Sequence, residues 1–218
     1  MQAIILAGGV AERIYPLATD RPKWLLPIGD STIANYQLEW LKKNEILEVF
    51  VTVNQRLAPI VENYSYPEGI KVNFIHEEEP IGDEGGLKRA LDYIEGDETY
   101  VVNCDIITNL PLQALSAPGI ALVHPRSPWG VFGEDGEFQE KPILPIWVSG
   151  GIYKFPTSIK DNLVYEGNLA NYVRVIDSGR EAERLAEVVR YGWPRSKPSA
   201  RPINDSTNVT WGSTIEAK

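Results

Sequence analysis

The chain has 218 residues, of which 43% are hydrophobic and 23% charged, and this ordinary globular balance fits one domain with its own core. Its formal net charge of −9 argues against a general nucleic-acid binder, because such proteins carry a basic field. The single cysteine excludes an internal disulfide framework.

Short apolar runs alternate with helix-like segments along the first 130 residues. Patterns typical of buried strands occupy 3–7, 48–53, 72–75, 100–103 and 120–124, and helical spacing occupies 32–43 and 85–94. Ser31 or Thr32 is the candidate N-cap of the first helix. This alternation predicts a three-layer α/β/α sandwich with a mixed, mostly parallel central sheet. In such sheets ligands bind beyond the carboxyl ends of the strands.

The pattern changes after Gly130, where turn signals separate short extended pieces that include 147–155. This region predicts a sheet-edge hairpin or lid over about 125–160, within a single domain that spans 1–218. Farther on, 181–190 predicts a helix and 193–202, with its three prolines, a loop.

The first apolar run ends at Gly8-Gly9, and cationic side chains follow. Paired glycines after a buried strand let the backbone turn tightly and present its N–H groups to an anion. Arg13 offers a planar fork for phosphate oxygens, and Lys23 offers a compact charge. The spacing matches neither the dinucleotide fingerprint nor the Walker motif. The segment therefore predicts a phosphate loop of another kind, and the alternative is an ordinary glycine turn with two solvent-facing cations.

The residues of this loop are L-A-G-G-V-A-E-R-I-Y-P-L, followed by R-P-K-W-L-L-P-I. They resemble the signature of the sugar-1-phosphate nucleotidylyltransferases, L-A-G-G-x-G-x-R-x-x-P-L-T and then R-P-K-x-L-x-P. The chain departs from it at Ala11, where the family has a third glycine, and at Ala18, where threonine is common. Ala11 adds a methyl group where the family's backbone closely approaches the nucleotide.

A second segment, 79–88, resembles the family's E-P-L-G-T-A-G-A-L loop, whose glycine backbone lies against the nucleotide base. Asp83 and Glu84 replace small or neutral residues of that loop. The alternative is that Gly85-Gly86 only opens a helix. With the first loop, the resemblance implies a set of nucleotide-binding residues: Leu6, Ala7, Gly8, Gly9, Gly82, Gly85 and Gly86.

A third segment, N-C-D at 103–105, is similar to the family's N-G-D, whose aspartate binds magnesium. Carboxylate oxygens suit this hard cation, and the alternative is a strand-terminal aspartate that caps the next turn. The resemblance implies a second ligand late in the chain, Asp205, with Asn204 as the alternative register; a polar turn is the competing interpretation. Cys104 is interpreted as a small buried hydrophobe, since no histidine is nearby in the sequence to activate it.

A fourth pair of segments, E-K-P at 140–142 and S-G-G-I-Y at 149–153, resembles the family's E-K-P and N-A-G-I-Y. The resemblance implies that Glu140 accepts hydrogen bonds from sugar hydroxyls, Lys141 holds the sugar phosphate and Gly151 borders the sugar. Glu166 also falls where the family contacts its acceptor. The alternative for the first pair is a surface Glu-Lys pair before a proline.

Together these resemblances imply a nucleotidyltransferase that uses Mg²⁺ to join an NTP to a sugar 1-phosphate, with Arg13, Lys23 and Asp105 as catalytic residues. Two alternatives stay open: a non-sugar acceptor such as phosphocholine, and a homologue that senses its ligands without turnover. No apolar run has the length of a membrane span and the start lacks a signal-peptide pattern, so we expect a cytoplasmic protein. The sequence leaves open whether the chain forms a homo-oligomer.

Overall fold

The computed structural model describes residues 1–163 and Leu169. Within them the strands are β1 Ala3–Ala7, β2 Pro27–Ile28, β3 Ser31–Thr32, β4 Glu48–Asn54, β5 Lys71–Glu77, β6 Glu98–Asn103, β7 Gly119–Val123, β8 Val131–Phe132, β9 Phe138–Gln139 and β10 Val148–Pro156. The α-helices are α1 Ile33–Lys43, α2 Ala58–Glu62 and α3 Gly82–Ala90, and 3-10 turns lie at Glu12–Ile14, Lys23–Leu25, Leu91–Tyr93, Leu112–Ala114 and Thr157–Asn162. The helix predicted at 181–190 and the loop at 193–202 lie outside the described residues.

The central sheet has the strand order β5-β4-β1-β6-β10-β7. Neighbouring strands among β5, β4, β1 and β6 pair in parallel, whereas β10 is antiparallel to both of its neighbours. This confirms the mixed, mostly parallel sheet that the alternation of strands and helices predicts. The parallel strands are apolar because both faces of the sheet are covered, and every residue of β1 is buried.

Helices pack on both faces of the sheet, which confirms the three layers. Side chains of α1 and α2 share one core cluster with Ala3 and Ile5, and Leu87 and Ala90 of α3 share the other with Ile4. Helix α1 begins after Thr32, whose hydroxyl accepts a hydrogen bond from Asn35 N at 3.3 Å. This cap satisfies a backbone donor that the first helical turn leaves free.

The predicted sheet-edge hairpin over about 125–160 differs from the structure in its second half. Within 125–160, β8 and β9 form a separate two-stranded hairpin, whereas β10 is an inner strand between β6 and β7. The reason is burial on both sides of the strand, since Gly150, Gly151, Ile152, Tyr153 and Phe155 are all buried. Such a strand satisfies its backbone groups by pairing on both edges.

The four neighbouring parallel strands end at the same edge of the sheet. The loop after β1, the end of β5, the start of α3 and the segment after β6 therefore meet there. This is the edge at which open α/β sheets bind ligands. Within the described residues, no helix has the length and apolar character needed to cross a membrane.

Candidate active site

The loop after β1 runs so close to Glu77 that a side chain at its first position would displace the Glu77 carboxylate. Gly8 is buried, and a Cβ added there would lie 2.1 Å from Glu77 Oε2. Gly9 is exposed and would meet nothing within 4 Å. Leu6 and Ala7 are buried, so their side chains belong to the core. A ligand at this loop would therefore meet backbone groups rather than side chains.

Ala11 adopts a left-handed backbone conformation, with φ at 53°. Its carbonyl accepts a hydrogen bond from Ile14 N at 3.1 Å, across the 3-10 turn Glu12–Ile14. A Cβ disfavours this conformation, whereas glycine adopts it freely. The left-handed backbone thus explains why the family that this chain resembles has glycine at this position.

Lys23 and Asp105 come together although 82 positions separate them. Lys23 Nζ donates a hydrogen bond to Asp105 Oδ2 at 2.9 Å, and the two side chains are 16% and 12% exposed. Their charges attract more strongly in this poorly hydrated site than at a fully exposed surface. The structure therefore places a cation and a carboxylate, both predicted as catalytic, side by side at the carboxyl edge of the sheet.

Gln37 of α1 holds both partners of this pair in position, and the sequence analysis did not single it out. It is buried, and its Oε1 accepts a hydrogen bond from the indole N–H of Trp24, next to Lys23, at 2.9 Å. Its amide donates to the carbonyls of Asn103 at 2.8 Å and Ile106 at 2.7 Å, on either side of Asp105. A polar residue on the apolar face of a predicted helix was the available signal.

Arg13 is exposed on the turn Glu12–Ile14. Among the contacts of the described residues, none joins it to Lys23 or Asp105. Arg13 is therefore not part of the Lys23–Asp105 ion pair.

The start of α3 brings glycines and acidic side chains to the same edge. Gly82 has φ at 70°, a conformation that favours glycine, and Gly85 and Gly86 are buried. Asp83 keeps contact with solvent, yet partial burial raises the pKa of its carboxyl, and nearby Asp105 raises this pKa further. Asp83 and Asp105 therefore repel each other, and Lys23 opposes that repulsion.

Glu77 is a buried carboxylate at this edge that the sequence analysis missed. It ends β5, is 3% exposed, and lies against Gly8 and Gly86. Burial raises the pKa of its carboxyl, and hydrogen bonds from the Thr52 hydroxyl and the Ile81 N–H oppose that rise. An acidic residue directly after the predicted strand 72–75 was the sequence signal that could have identified it.

The predicted acceptor residues divide into two groups. Gly151 has φ at 69°, and a Cβ there would lie 2.8 Å from Ile106 Cδ1 and 3.2 Å from Asn103 Nδ2, so it borders the segment that carries Asp105. Glu140 and Lys141 are exposed, and no contact of the described residues joins them to Lys23 or Asp105.

The loop that carries Lys141 is held by its neighbours. Lys141 has φ at 46°, and its carbonyl accepts a hydrogen bond from Arg126 Nη1 at 2.8 Å. Ser127 N donates to the Pro142 carbonyl, also at 2.8 Å. The backbone around Lys141 is thus fixed, while its ammonium group faces solvent.

Within residues 1–163, no group of three or more His, Cys, Asp or Glu side chains forms a ready metal cluster. The two mutually repelling carboxylates Asp105 and Asp83 nevertheless present hard oxygen donors, which suit a divalent cation that keeps waters and phosphate oxygens as its other ligands. The predicted ligands Asp205 and Asn204, and the predicted acceptor residue Glu166, lie outside the described residues.

Cys104, beside Asp105, packs against the core. Burial, with a contribution from the Asp105 charge, raises the pKa of its thiol to about 12. The thiol is therefore protonated at neutral pH, which agrees with its interpretation as a small hydrophobe rather than a nucleophile.

Comparison with known proteins identifies the family of this chain and supports its fold. A family model described as nucleotidyl transferase matches residues 2–187. The chain is 31% identical over 185 residues to the mannose-1-phosphate guanylyltransferase catalytic subunit beta of Dictyostelium discoideum, covering 75% of this chain and 52% of that protein. It is 36% identical over 117 residues to the D-glycero-alpha-D-manno-heptose 1-phosphate guanylyltransferase of Campylobacter jejuni, covering 53% and 52%. The chain thus spans about half the length of each relative.

Among solved structures, the UDP-glucose pyrophosphorylase from Acinetobacter baumanii superposes with a TM-score of 0.63 at 15% identity, covering 81% of this chain and 82% of that one. At this identity the likeness concerns the fold, and it agrees with the layered, mostly parallel architecture described above.

Proposed function

Since the chain belongs to the nucleotidyl transferase family, we propose that it transfers a nucleoside monophosphate from an NTP to a sugar 1-phosphate and releases pyrophosphate. The observation that carries this proposal is the Lys23–Asp105 pair beside the glycine loop at the carboxyl edge of the sheet. Two relatives named as guanylyltransferases of sugar 1-phosphates support the acceptor class and favour GTP as the donor.

The reaction needs positioning and charge stabilisation more than proton transfer. An oxygen of the acceptor phosphate attacks the α-phosphorus of the NTP, and the bond from that phosphorus to the bridging oxygen of pyrophosphate breaks. The attacking phosphate is already ionised at neutral pH, so no general base is required. Holding both phosphates in line lowers the barrier, and cations stabilise the charge that develops on the leaving group.

The residues of the site divide this work by charge and place. Lys23, held beside Asp105 at the carboxyl edge of the sheet, would stabilise the departing pyrophosphate. Arg13, exposed on the turn after that loop, would close on the phosphates from outside. Lys141, on its fixed backbone, would hold the acceptor phosphate, with Glu140 beside it for sugar hydroxyls.

We assign the place of Mg²⁺ to Asp105. Its carboxylate is the donor that such an ion prefers, and the repulsion between Asp105 and Asp83 is the excess of negative charge that a divalent cation neutralises. When bound, the ion would neutralise charge on the α-phosphate and make its phosphorus more open to attack. Asp205, or Asn204, is the second ligand that the family resemblance implies.

The test is pyrophosphate release by the whole chain with Mg²⁺, over a panel of NTPs and of acceptors that includes sugar 1-phosphates and phosphocholine. We expect release only when an NTP and a sugar 1-phosphate are both present. Release with phosphocholine alone among the acceptors would assign a different transferase, and binding of NTP without release under any combination would assign a sensing role.

A matched pair of variants separates the site from general stability. Lys23→Met removes the cation from the Asp105 pair, whereas Lys71→Met removes one from an ion pair with Glu48, at 2.7 Å, near the amino ends of the strands. Only the first substitution should abolish pyrophosphate release.

A further inference from the structure

Gln37 is a polar residue on the buried face of α1, and both polar atoms of its side chain are hydrogen-bonded. The residue is 1% exposed. Its amide nitrogen, which carries two hydrogens, donates to the carbonyls of Asn103 and Ile106 at 2.8 and 2.7 Å, and its Oε1 accepts from the Trp24 indole at 2.9 Å. A side chain enclosed in this way does not reach a substrate, so any role in turnover acts through the elements that it joins.

The two carbonyls that Gln37 binds are the ends of the turn that carries Asp105. Ile106 N donates to the Asn103 carbonyl at 3.3 Å, which closes a tight turn directly after β6. A carbonyl oxygen has two lone pairs, so Asn103 accepts from Gln37 as well. Because an aspartate side chain is short, its carboxylate follows the backbone of the turn. Gln37 thereby fixes the place of the Asp105 carboxylate.

Trp24 extends the same constraint to Lys23. Its ring is buried and stacks on Tyr66, with ring centroids 5.4 Å apart, so Trp24 is held between Tyr66 and Gln37. The Lys23 carbonyl accepts a hydrogen bond from Leu26 N at 3.0 Å. The backbone of Lys23 is therefore fixed, and its side chain extends from a rigid turn.

We propose that Gln37 is a positioning residue for nucleotidyl transfer, because it joins the turn of Asp105 to the turn of Lys23; this rests on the proposed function. The carboxylate that would hold Mg²⁺ and the cation that would stabilise pyrophosphate must keep a set separation while the phosphates lie in line. Hydrogen-bond partners that orient the ligands of a metal are worth about 10- to 100-fold in metal affinity or activity. An apolar side chain in place of Gln37 would fill the core but leave the two turns without their common partner.

The first test is Gln37→Glu, which keeps the shape of the side chain and an acceptor for Trp24. A glutamate offers no donor to the two carbonyls, and even when protonated it offers only one. We expect kcat to fall about 10- to 100-fold and the Mg²⁺ concentration for half-maximal rate to rise. KM for the sugar 1-phosphate should be unchanged, because Glu140 and Lys141 belong to another loop. If Gln37 only stabilised the fold, kcat per folded protein and the Mg²⁺ requirement would stay at their wild-type values, which would refute positioning.

Trp24→Phe and Trp40→Phe form a matched pair that tests the Lys23 side without altering Gln37. Each removes one indole N–H from the core cluster that contains α1. The indole of Trp24 donates to Gln37 at 2.9 Å, whereas that of Trp40 donates to the Leu110 carbonyl at 2.8 Å, beyond the turn of Asp105. Both variants should have a lower Tm, since each places a smaller ring in the core. Trp24→Phe should also lower kcat, and equal kcat values in the two variants, measured below their melting range, would overturn the proposal.

Metal binding separates this inference from the proposed function. Calorimetry measures how much Mn²⁺ tightens the binding of GTP, and it needs neither an acceptor nor turnover. If no acceptor yields a product, nucleotidyl transfer fails as the function. A metal-dependent gain about 10- to 100-fold smaller in Gln37→Glu than in Trp40→Phe would still support the positioning of Asp105. Equal gains in these two variants, or a wild type in which Mn²⁺ gives no gain, would overturn it.

Discussion

Replacing Ala11 by glycine should stabilise the protein, because Ala11 is held at φ 53°. The left-handed region costs a residue with a Cβ about 1–2 kcal/mol. Glycine removes that strain, but its unfolded chain is more flexible, and ordering it costs roughly 0.5–1 kcal/mol more than ordering alanine. The balance predicts a gain of about 0.5–1 kcal/mol in the free energy of unfolding. For a chain of this length, 1 kcal/mol corresponds to a rise of about 2–4 °C in Tm.

Urea unfolding and scanning calorimetry measure this gain directly, and Glu45→Gly provides the matched comparison. Glu45 has φ at 63°, is exposed and follows the end of α1, away from the glycine loop. Both substitutions should raise the midpoint by similar amounts. A gain in Glu45→Gly without one in Ala11→Gly would refute the reasoning that the backbone at Ala11 is strained.

Three further predictions follow from the site. Lys23→Met, which removes the cation 2.9 Å from Asp105, should lower kcat/KM at least about 100-fold with an unchanged circular dichroism spectrum, as loss of a charge-stabilising donor does. Gly86→Ala would place a Cβ 2.9 Å from Glu77 Oε1 and should cost about 1–3 kcal/mol of unfolding free energy in urea titration. Asp83→Asn should raise stability at pH 7 in metal-free buffer, because burial and the Asp105 charge raise the pKa of Asp83 in the folded state. A raised carboxyl pKa makes stability fall as pH increases, so the gain should disappear below the ordinary value of 3.8.

Each of these has a clear opposite outcome. Near-wild-type turnover in Lys23→Met would remove that residue from the catalytic set. Gly9→Ala serves as the control for Gly86→Ala, since an added Cβ at Gly9 meets nothing within 4 Å, and equal midpoints in the two variants would contradict the close packing. For Asp83→Asn, an advantage that grows as pH falls would contradict the direction of its pKa.

The periodic apolar segments predicted the sheet accurately, because a strand buried on both faces must be apolar throughout. The run at 48–53 is β4 Glu48–Asn54, and the run at 72–75 lies within β5 Lys71–Glu77. Thr32 rather than Ser31 caps α1, which settles the alternative left open by the sequence. The helix predicted at 85–94 begins three residues earlier, at Gly82, and ends as an α-helix at Ala90.

That early start shows where local patterns fail. Gly82 and its neighbours have poor intrinsic helix propensity, so the pattern favours a later start. In the structure α3 packs through Gly86 against Leu6 and Glu77, and these tertiary contacts stabilise a helix that the local sequence does not favour. Likewise, β10 has a bulge between Ser149 and Tyr153, which interrupts the regular alternation of a strand. The local pattern therefore did not predict that β10 lies inside the sheet.

At the site, the order of motifs predicted the family, which the family model confirms over residues 2–187. The motifs also indicated Lys23 and Asp105, which the structure brings together. They did not indicate Gln37 or Glu77. The role of a polar residue inside an apolar pattern depends on its hydrogen-bond partners, and those partners are known only from the structure. Gln37 contacts carbonyls 66 and 69 positions away, and such pairing is invisible to a local pattern.

The most direct test of nucleotidyl transfer is the fate of phosphorus in GTP labelled at the α-position, incubated with Mg²⁺ and an unlabelled sugar 1-phosphate. Attack at the α-phosphorus predicts that the label appears in a sugar nucleotide and that the pyrophosphate is unlabelled. Label released as GMP whether or not the sugar 1-phosphate is present, or GTP left intact when it is, would contradict transfer at the site built around Lys23 and Asp105.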